Sequence, residues 1–82
     1  MRIIIYTKTG CLWCRDALLM LNERNASYEE RNVTENQAYY QELVEKSGQD
    51  KTPTVDIDGV ILKDSDAQEI KAYLDKTEGA SS

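Results

Sequence analysis

The sequence predicts an α/β domain in the order β-α-β-α-β-β-α. Three observations predict it. The chain opens on an apolar, β-rich run, Ile3-Ile4-Ile5-Tyr6, that suits a buried central strand. Two helical patterns follow, separated by a short polar stretch. A hairpin signal, Asp58-Gly59, then divides two short apolar runs ahead of a third helical pattern.

The first strand, Ile3 to Tyr6, is bounded by Thr7-Lys8-Thr9-Gly10. From Leu12 to about Arg24 the periodicity is helical. Ala17, Leu18 and Leu21 share one face, Arg15, Asp16 and Glu23 lie largely off it, and Asn25 is a helix stop. Ser27 to Asn32 is short, polar and alternating, as in an outer strand. Thr34 is the N-cap expected for a second helix that runs to about Ser47, with Ala38, Tyr40, Leu43 and Val44 inward and Gly48 ending it. Thr54 to Ile57 and Val60 to Lys63 form the hairpin around Asp58-Gly59. Ser65 and Asp66 offer caps, Ser65 with Gln68 or Asp66 with Glu69, for a last helix that buries Ile70, Tyr73 and Leu74. Residues 1–76 thus form one domain, and the small, polar segment 77–82 reads as a fraying tail. The first β-α-β unit implies two parallel strands joined by a right-handed crossover.

Composition narrows the function. With 82 residues the chain holds one modest core. Hydrophobic residues at 40% and charged residues at 30% indicate a soluble globular protein. The formal net charge of −5 argues against a nucleic-acid partner and against an anionic membrane surface. The apolar run after Met1-Arg2 is too short for a secretion signal, and nothing approaches membrane-spanning length, so a cytoplasmic address and a monomer are expected.

The two cysteines, Cys11 and Cys14, are the only ones, and the chain has no histidine. A closed structural zinc site needs four ligands of these kinds, which one chain does not offer, so no metal site is expected. A structural staple is weak too: so small a loop removes little entropy from the unfolded chain, and a reducing compartment opens it. A redox dithiol fits. The pair falls between the first strand and the first helix, at the strand's carboxyl end, where open α/β sheets place their sites. Helix N-terminal amides favour a thiolate at Cys11, and Lys8 and Arg15 add positive charge. Cys11 is therefore the candidate nucleophile and Cys14, one helical turn on, the resolving thiol. Trp13 either contacts substrate and shields the disulfide or folds back on the surface. Pro53, the only proline, is either an ordinary strand-entry residue or a cis peptide that turns the backbone of Thr52 toward an extended substrate.

With Tyr6-Thr7-Lys8, Cys11-Leu12-Trp13-Cys14, Ser47-Gly48, Thr52-Pro53, Asp58-Gly59 and Ser65-Asp66 in this order and at these separations, the chain resembles the glutaredoxins of the thioredoxin-fold superfamily from Arg2 to about Leu74. The resemblance implies a thioredoxin fold, a four-stranded mixed sheet flanked by three helices. It implies thiol–disulfide exchange on protein disulfides or glutathione mixed disulfides, with glutathione as the reductant. It assigns Cys11 as nucleophile and Cys14 as its partner. It gives Lys8 to the thiolate and the glycyl carboxylate of glutathione, and Tyr6 to the flank of the site. Thr52-Pro53 would hold the cysteinyl unit, and Asp66 with the amide of Ala67 the γ-glutamyl end. Three departures stand out. Leu12-Trp13 replaces a common proline–tyrosine pair, which lowers the family's barrier to binding a [2Fe–2S] cluster between two protomers and keeps a cluster carrier as the alternative function. Thr52 stands where valine is usual. Lys63-Asp64 stands where a Gly-Gly pair lets glutathione approach the backbone. A related class of small redoxins draws electrons from thioredoxin reductase, but its C-terminal Trp-Ser-Gly-Phe-Arg-Pro signature is missing here.

Overall fold

The structure, a computed structural model, describes residues 1–79. The elements are β1 (Ile3–Thr7), α1 (Leu12–Glu23), β2 (Glu29–Asn32), α2 (Gln37–Ser47), β3 (Thr54–Ile57), β4 (Val60–Leu62) and α3 (Ala67–Gly79). The four strands lie in the order β2-β1-β3-β4. β1 runs parallel to β2 and antiparallel to β3, and β3 pairs antiparallel with β4. This is the mixed sheet and helix complement of a thioredoxin fold.

All five residues of β1 are buried, as a strand with paired neighbours and both faces covered requires. Its alternation sorts two cores. Ile3 and Ile5 join Ala17 and Leu21 of α1, Val55 and Ile57 of β3, and Ile70 and Leu74 of α3. Ile4 and Tyr6 join Val33 and Leu43 on the α2 side. Each fully buried Leu or Ile here contributes roughly 1.5–3 kcal/mol relative to exposure. Asp58 and Gly59 both have positive φ, 50° and 92°, the geometry a two-residue hairpin turn demands.

Several boundaries and one helix face differ from the sequence reading. β2 begins at Glu29 rather than Ser27. Helix α2 begins at Gln37 and is capped by Asn36, whose side chain accepts from the Ala38 amide. Thr34 is committed elsewhere: its amide donates to Asn32 Oδ1 at 2.8 Å and its hydroxyl accepts from the Thr9 amide. The inward face of α2 lies one residue round from expectation. Leu43 and Ser47 are buried and Tyr39 and Tyr40 half-buried, whereas Ala38 and Val44 are exposed. The last helix continues through Thr77 to Gly79, into the segment read as a tail. Arg24 at the end of α1 holds it there, through Asp75 at 2.8 Å and Glu78 at 2.7 Å. The rest of the expected tail, 80–82, lies outside the described residues.

Candidate active site

The turn between β1 and α1 builds the dithiol. Gly10 takes φ 81°, a conformation that glycine adopts freely, and the Cys11 amide donates back to the Lys8 carbonyl at 3.3 Å. Cys11 is thereby the N-cap of α1, with extended φ/ψ, and its Sγ accepts from the Cys14 amide at 3.1 Å. A sulfur in this position faces the unpaired amides and positive dipole end of the helix, which favour the thiolate over the thiol. Cys11 and Cys14 are joined as a disulfide, with Cα atoms 5.2 Å apart. Their environments differ. Cys14, in the first turn of α1, is 2% exposed, whereas Cys11 is half-buried and open to solvent.

The start of β3 forms the opposite wall. The Thr52–Pro53 peptide is cis. The Thr52 carbonyl oxygen lies 3.8 Å from Cys11 Sγ, and the Thr52 hydroxyl donates to the same sulfur at 3.6 Å. The Pro53 carbonyl accepts from the Ser65 amide at 2.9 Å, which ties this segment to the turn before α3. In that turn Asp64 has φ 51°, and Asp66 caps α3 by accepting from the Glu69 amide at 2.8 Å.

Two clefts flank the dithiol. One, of about 170 Å³, lies among Trp13, Thr52, Pro53, Asp64, Ser65, Asp66 and Glu69. It holds three carboxylates and no basic group. The other, of about 390 Å³, runs along α1 from Cys11 and Cys14 and includes Lys8, Leu12, Arg15, Leu19 and Glu30.

The glutaredoxin family model matches residues 3–62. The chain belongs to the glutaredoxin family. It is 39% identical over 67 residues to glutaredoxin 1 of Rickettsia felis, an alignment that covers 79% of this chain and spans 66% of that longer relative. It is 28% identical to an uncharacterized glutaredoxin-like 8.6 kDa protein in the rubredoxin operon of Clostridium pasteurianum, covering 90% of this chain and 99% of the relative. Among solved structures it is similar to the thioredoxin-like protein BC3987, with a TM-score of 0.79, 28% identity, and coverage of 85% of this chain and 96% of that one. The Cys11–Cys14 pair gives this member of the family a CxxC dithiol at the start of α1.

Most residues the sequence singles out gather at this end of the molecule, but not in one cleft. Trp13, Thr52, Pro53 and Asp66 line the acidic cleft, and Ala67 follows Asp66 as the first residue of α3. Trp13, 65% exposed, forms part of that cleft's wall. Lys8 lies in the other cleft. Tyr6 is a correction. It does not flank the dithiol but is fully buried on the α2 side of the sheet, where its hydroxyl donates to Glu42 Oε1 at 3.0 Å and Lys46 Nζ stands 5.2 Å from the ring centroid. The reason is strand alternation, which sends residues 4 and 6 toward α2 and residues 3, 5 and 7 toward α1. Burial pushes the Tyr6 hydroxyl pKa up, against the opposing pull of Lys46. As site residues, Thr7, Glu30 and Glu69 escape the sequence reading. Thr7 carries one signal: it is a polar residue continuing the inward alternation of Ile3 and Ile5.

Proposed function

We propose that the chain is a dithiol oxidoreductase that reduces disulfides in protein substrates. The observation that carries this reading is the asymmetry of the pair: Cys11 is an accessible helix-capping sulfur, and Cys14 is a buried sulfur bonded to it. In the reduced protein the Cys11 thiolate attacks a substrate disulfide. One substrate sulfur leaves as thiolate, and Cys11 is left in a mixed disulfide. Cys14, deprotonated, then attacks Cys11 Sγ and expels the second substrate sulfur. The protein ends oxidised, as it stands here, and two electrons have passed to the substrate. The Thr52 backbone beside Cys11 is positioned to pair with an extended polypeptide carrying the substrate cysteine.

Two electrons must return, and glutathione is the proposed donor, with Lys8 toward its glycyl carboxylate and Asp66 with the Ala67 amide toward its γ-glutamyl end, as in the family. Asp64 and Glu69 place further negative charge in the cleft glutathione would enter, so its affinity is expected to be low and protein disulfides the better substrates. Thioredoxin reductase is the competing donor. The alternative is a [2Fe–2S] carrier in which Cys11 of each of two protomers and two glutathione thiols complete the four sulfur ligands, and visible absorption after reconstitution with iron and sulfide tests it. A reducing cytoplasmic setting suits this chemistry.

Cys14→Ser tests the reading. It should trap Cys11 as a stable mixed disulfide with protein substrates, visible as a thiol-sensitive adduct by mass spectrometry. If the variant turned over protein disulfides at the wild-type rate, the dithiol mechanism would be wrong. NADPH consumption coupled to glutathione and glutathione reductase, or to thioredoxin reductase alone, assigns the donor.

A further inference from the structure

Resolution of the mixed disulfide requires Cys14 to react as a thiolate. Cys14 is 2% exposed, so solvent has little access to its sulfur to take the proton. The step therefore needs a proton acceptor near Cys14. Three charged residues line the cleft beside Cys14: Lys8 from the turn, Arg15 from α1 and Glu30 from β2. The two cations already carry their protons, which leaves the carboxylate.

The sheet fixes Glu30 there. The β1–β2 register pairs Ile5 with Glu30, so Glu30 projects from the same face as Ile5 and Thr7, the face that α1 covers. The Thr7 hydroxyl, itself 2% exposed, donates to Glu30 Oε2 at 2.8 Å. Thr7, Glu30 and Cys14 line the same cleft. The outer end of Glu30 is open to solvent, so a proton collected there can leave. Arg31, the neighbouring cation on β2, points to the opposite face and is engaged by Glu29 at 2.6 Å and Glu42 at 2.5 Å.

We propose that Glu30 is the proton acceptor for Cys14, reached through the Thr7 hydroxyl, in a role that rests on the dithiol reading. The Cys14 thiol gives its proton to Thr7 Oγ1 as Thr7 passes its own to Glu30. The Cys14 sulfur then forms the bond to Cys11 Sγ, the Cys11–substrate bond breaks, and the electron pair leaves on the substrate thiolate. The proton on Glu30 returns to solvent or to that leaving thiolate. Electrons balance within the dithiol and the substrate.

The test is a single-turnover reaction of reduced protein with 5,5′-dithiobis(2-nitrobenzoate), followed by release of the coloured thiolate. The first equivalent reports attack by Cys11 and the second reports resolution by Cys14. Glu30→Gln keeps the hydrogen bond from Thr7 but accepts no proton. It should leave the first phase within about twofold and slow the second at least about tenfold near pH 6. The gap should close toward about pH 9, above the ordinary thiol pKa, where solvent removes the proton unaided. Thr7→Val should reproduce the same pH-dependent loss. A second phase unchanged in Glu30→Gln from about pH 6 to about pH 9 would overturn the role. So would a pH-independent slowing accompanied by a lowered thermal midpoint, which marks a structural contact. Absence of a second phase in the wild type would overturn the dithiol reading itself, and this inference with it.

Discussion

The two clefts beside the dithiol are opposite in character. The cleft under Trp13 gathers Asp64, Asp66 and Glu69 with no cation, in about 170 Å³. The cleft along α1 is wider, about 390 Å³, carries Lys8 and Arg15, and has apolar walls in Leu12 and Leu19. Leu12 is 72% exposed and Leu19 49%, which is unusual for leucines beside a charged surface and leaves apolar area for a partner to cover. The contrast teaches that the dithiol and the charge that surrounds it come from different parts of the fold. In the proposed dithiol reaction the helix N-terminus and the buried Cys14 would serve any disulfide, while the two clefts would select among disulfides.

The largest effect should come from inverting the acidic cleft. Each of these surface charges is worth on the order of 1 kcal/mol toward an ion a few ångströms away. The double variant Asp64→Lys, Glu69→Lys should therefore raise kcat/KM for glutathione roughly 10- to 100-fold at low salt. The gain should shrink at high ionic strength, as screening requires. An unchanged glutathione rate would mean that this cleft does not receive glutathione, and the electron donor would have to be sought elsewhere.

The apolar cleft is broken differently. Leu12→Ser with Leu19→Ser should raise KM for a protein disulfide by about three- to tenfold, as expected from losing partly buried apolar contact area. Glutathione turnover should hold, because that tripeptide is too small to cover α1. Stability should move by less than about 0.5 kcal/mol, since both side chains are exposed. Equal losses for both substrates would dissolve the distinction between the clefts.

A pH series separates the site from the far face of the sheet. There Lys46 bonds Asp56 at 2.9 Å and stands over the Tyr6 ring. Burial opposes the charge on Asp56, yet Lys46 and the Gly59 amide outweigh it and hold its carboxyl below the ordinary value of 3.8. A depressed carboxyl contributes stability that is present above 3.8 and lost as pH falls through the folded-state value. Tyr6 and Lys46 both have raised values: burial drives the Tyr6 hydroxyl up, and for Lys46 burial is outweighed by Tyr6 and Asp56. Their contributions are present below the ordinary values of 10.0 and 10.5 and lost as pH rises through the folded ones. Thermal midpoints should form a plateau that falls at both ends. Lys46→Met should shrink the acid-side fall, because it removes the partner that holds Asp56 down, while leaving the pH profile of disulfide reduction in place.

Most of the fold was legible because it rests on local signals: a β-branched run, three helical periods, and Asp-Gly at the hairpin. The misplaced start of α2 shows where such signals compete. Thr34 and Asn36 are both good caps, and only the tertiary bonds of Thr34 to Thr9 and of its amide to Asn32 decide between them. The end of α3 was hidden because its support, Arg24, comes from another helix. In the site, Cys11 and Cys14 were marked by their spacing together with their place between the first strand and the first helix. The position of Tyr6 was a matter of strand parity, which an unbroken apolar run does not reveal, since residues on both faces are apolar. Glu30 was hidden for the same reason: only the β1–β2 register sets it over the α1 face.

The smallest effect isolates backbone from charge within the acidic cleft. Asp64 sits at φ 51°, in the left-handed region that glycine occupies without cost and that Asn and Asp tolerate. Asp64→Gly removes the charge and relieves the conformation together. Asp64→Asn removes the charge and keeps a side chain suited to that conformation. Glycine should add up to about 1 kcal/mol of stability, while asparagine should change it by a few tenths. For glutathione the two should converge on the same gain of about fivefold if charge is the obstacle, because both abolish it. A gain confined to Asp64→Gly would assign the obstruction to the bulk of the side chain instead. Glutathione would then be kept out by shape, and the acidity of this cleft would be left to select among protein substrates by the charge beside their cysteines.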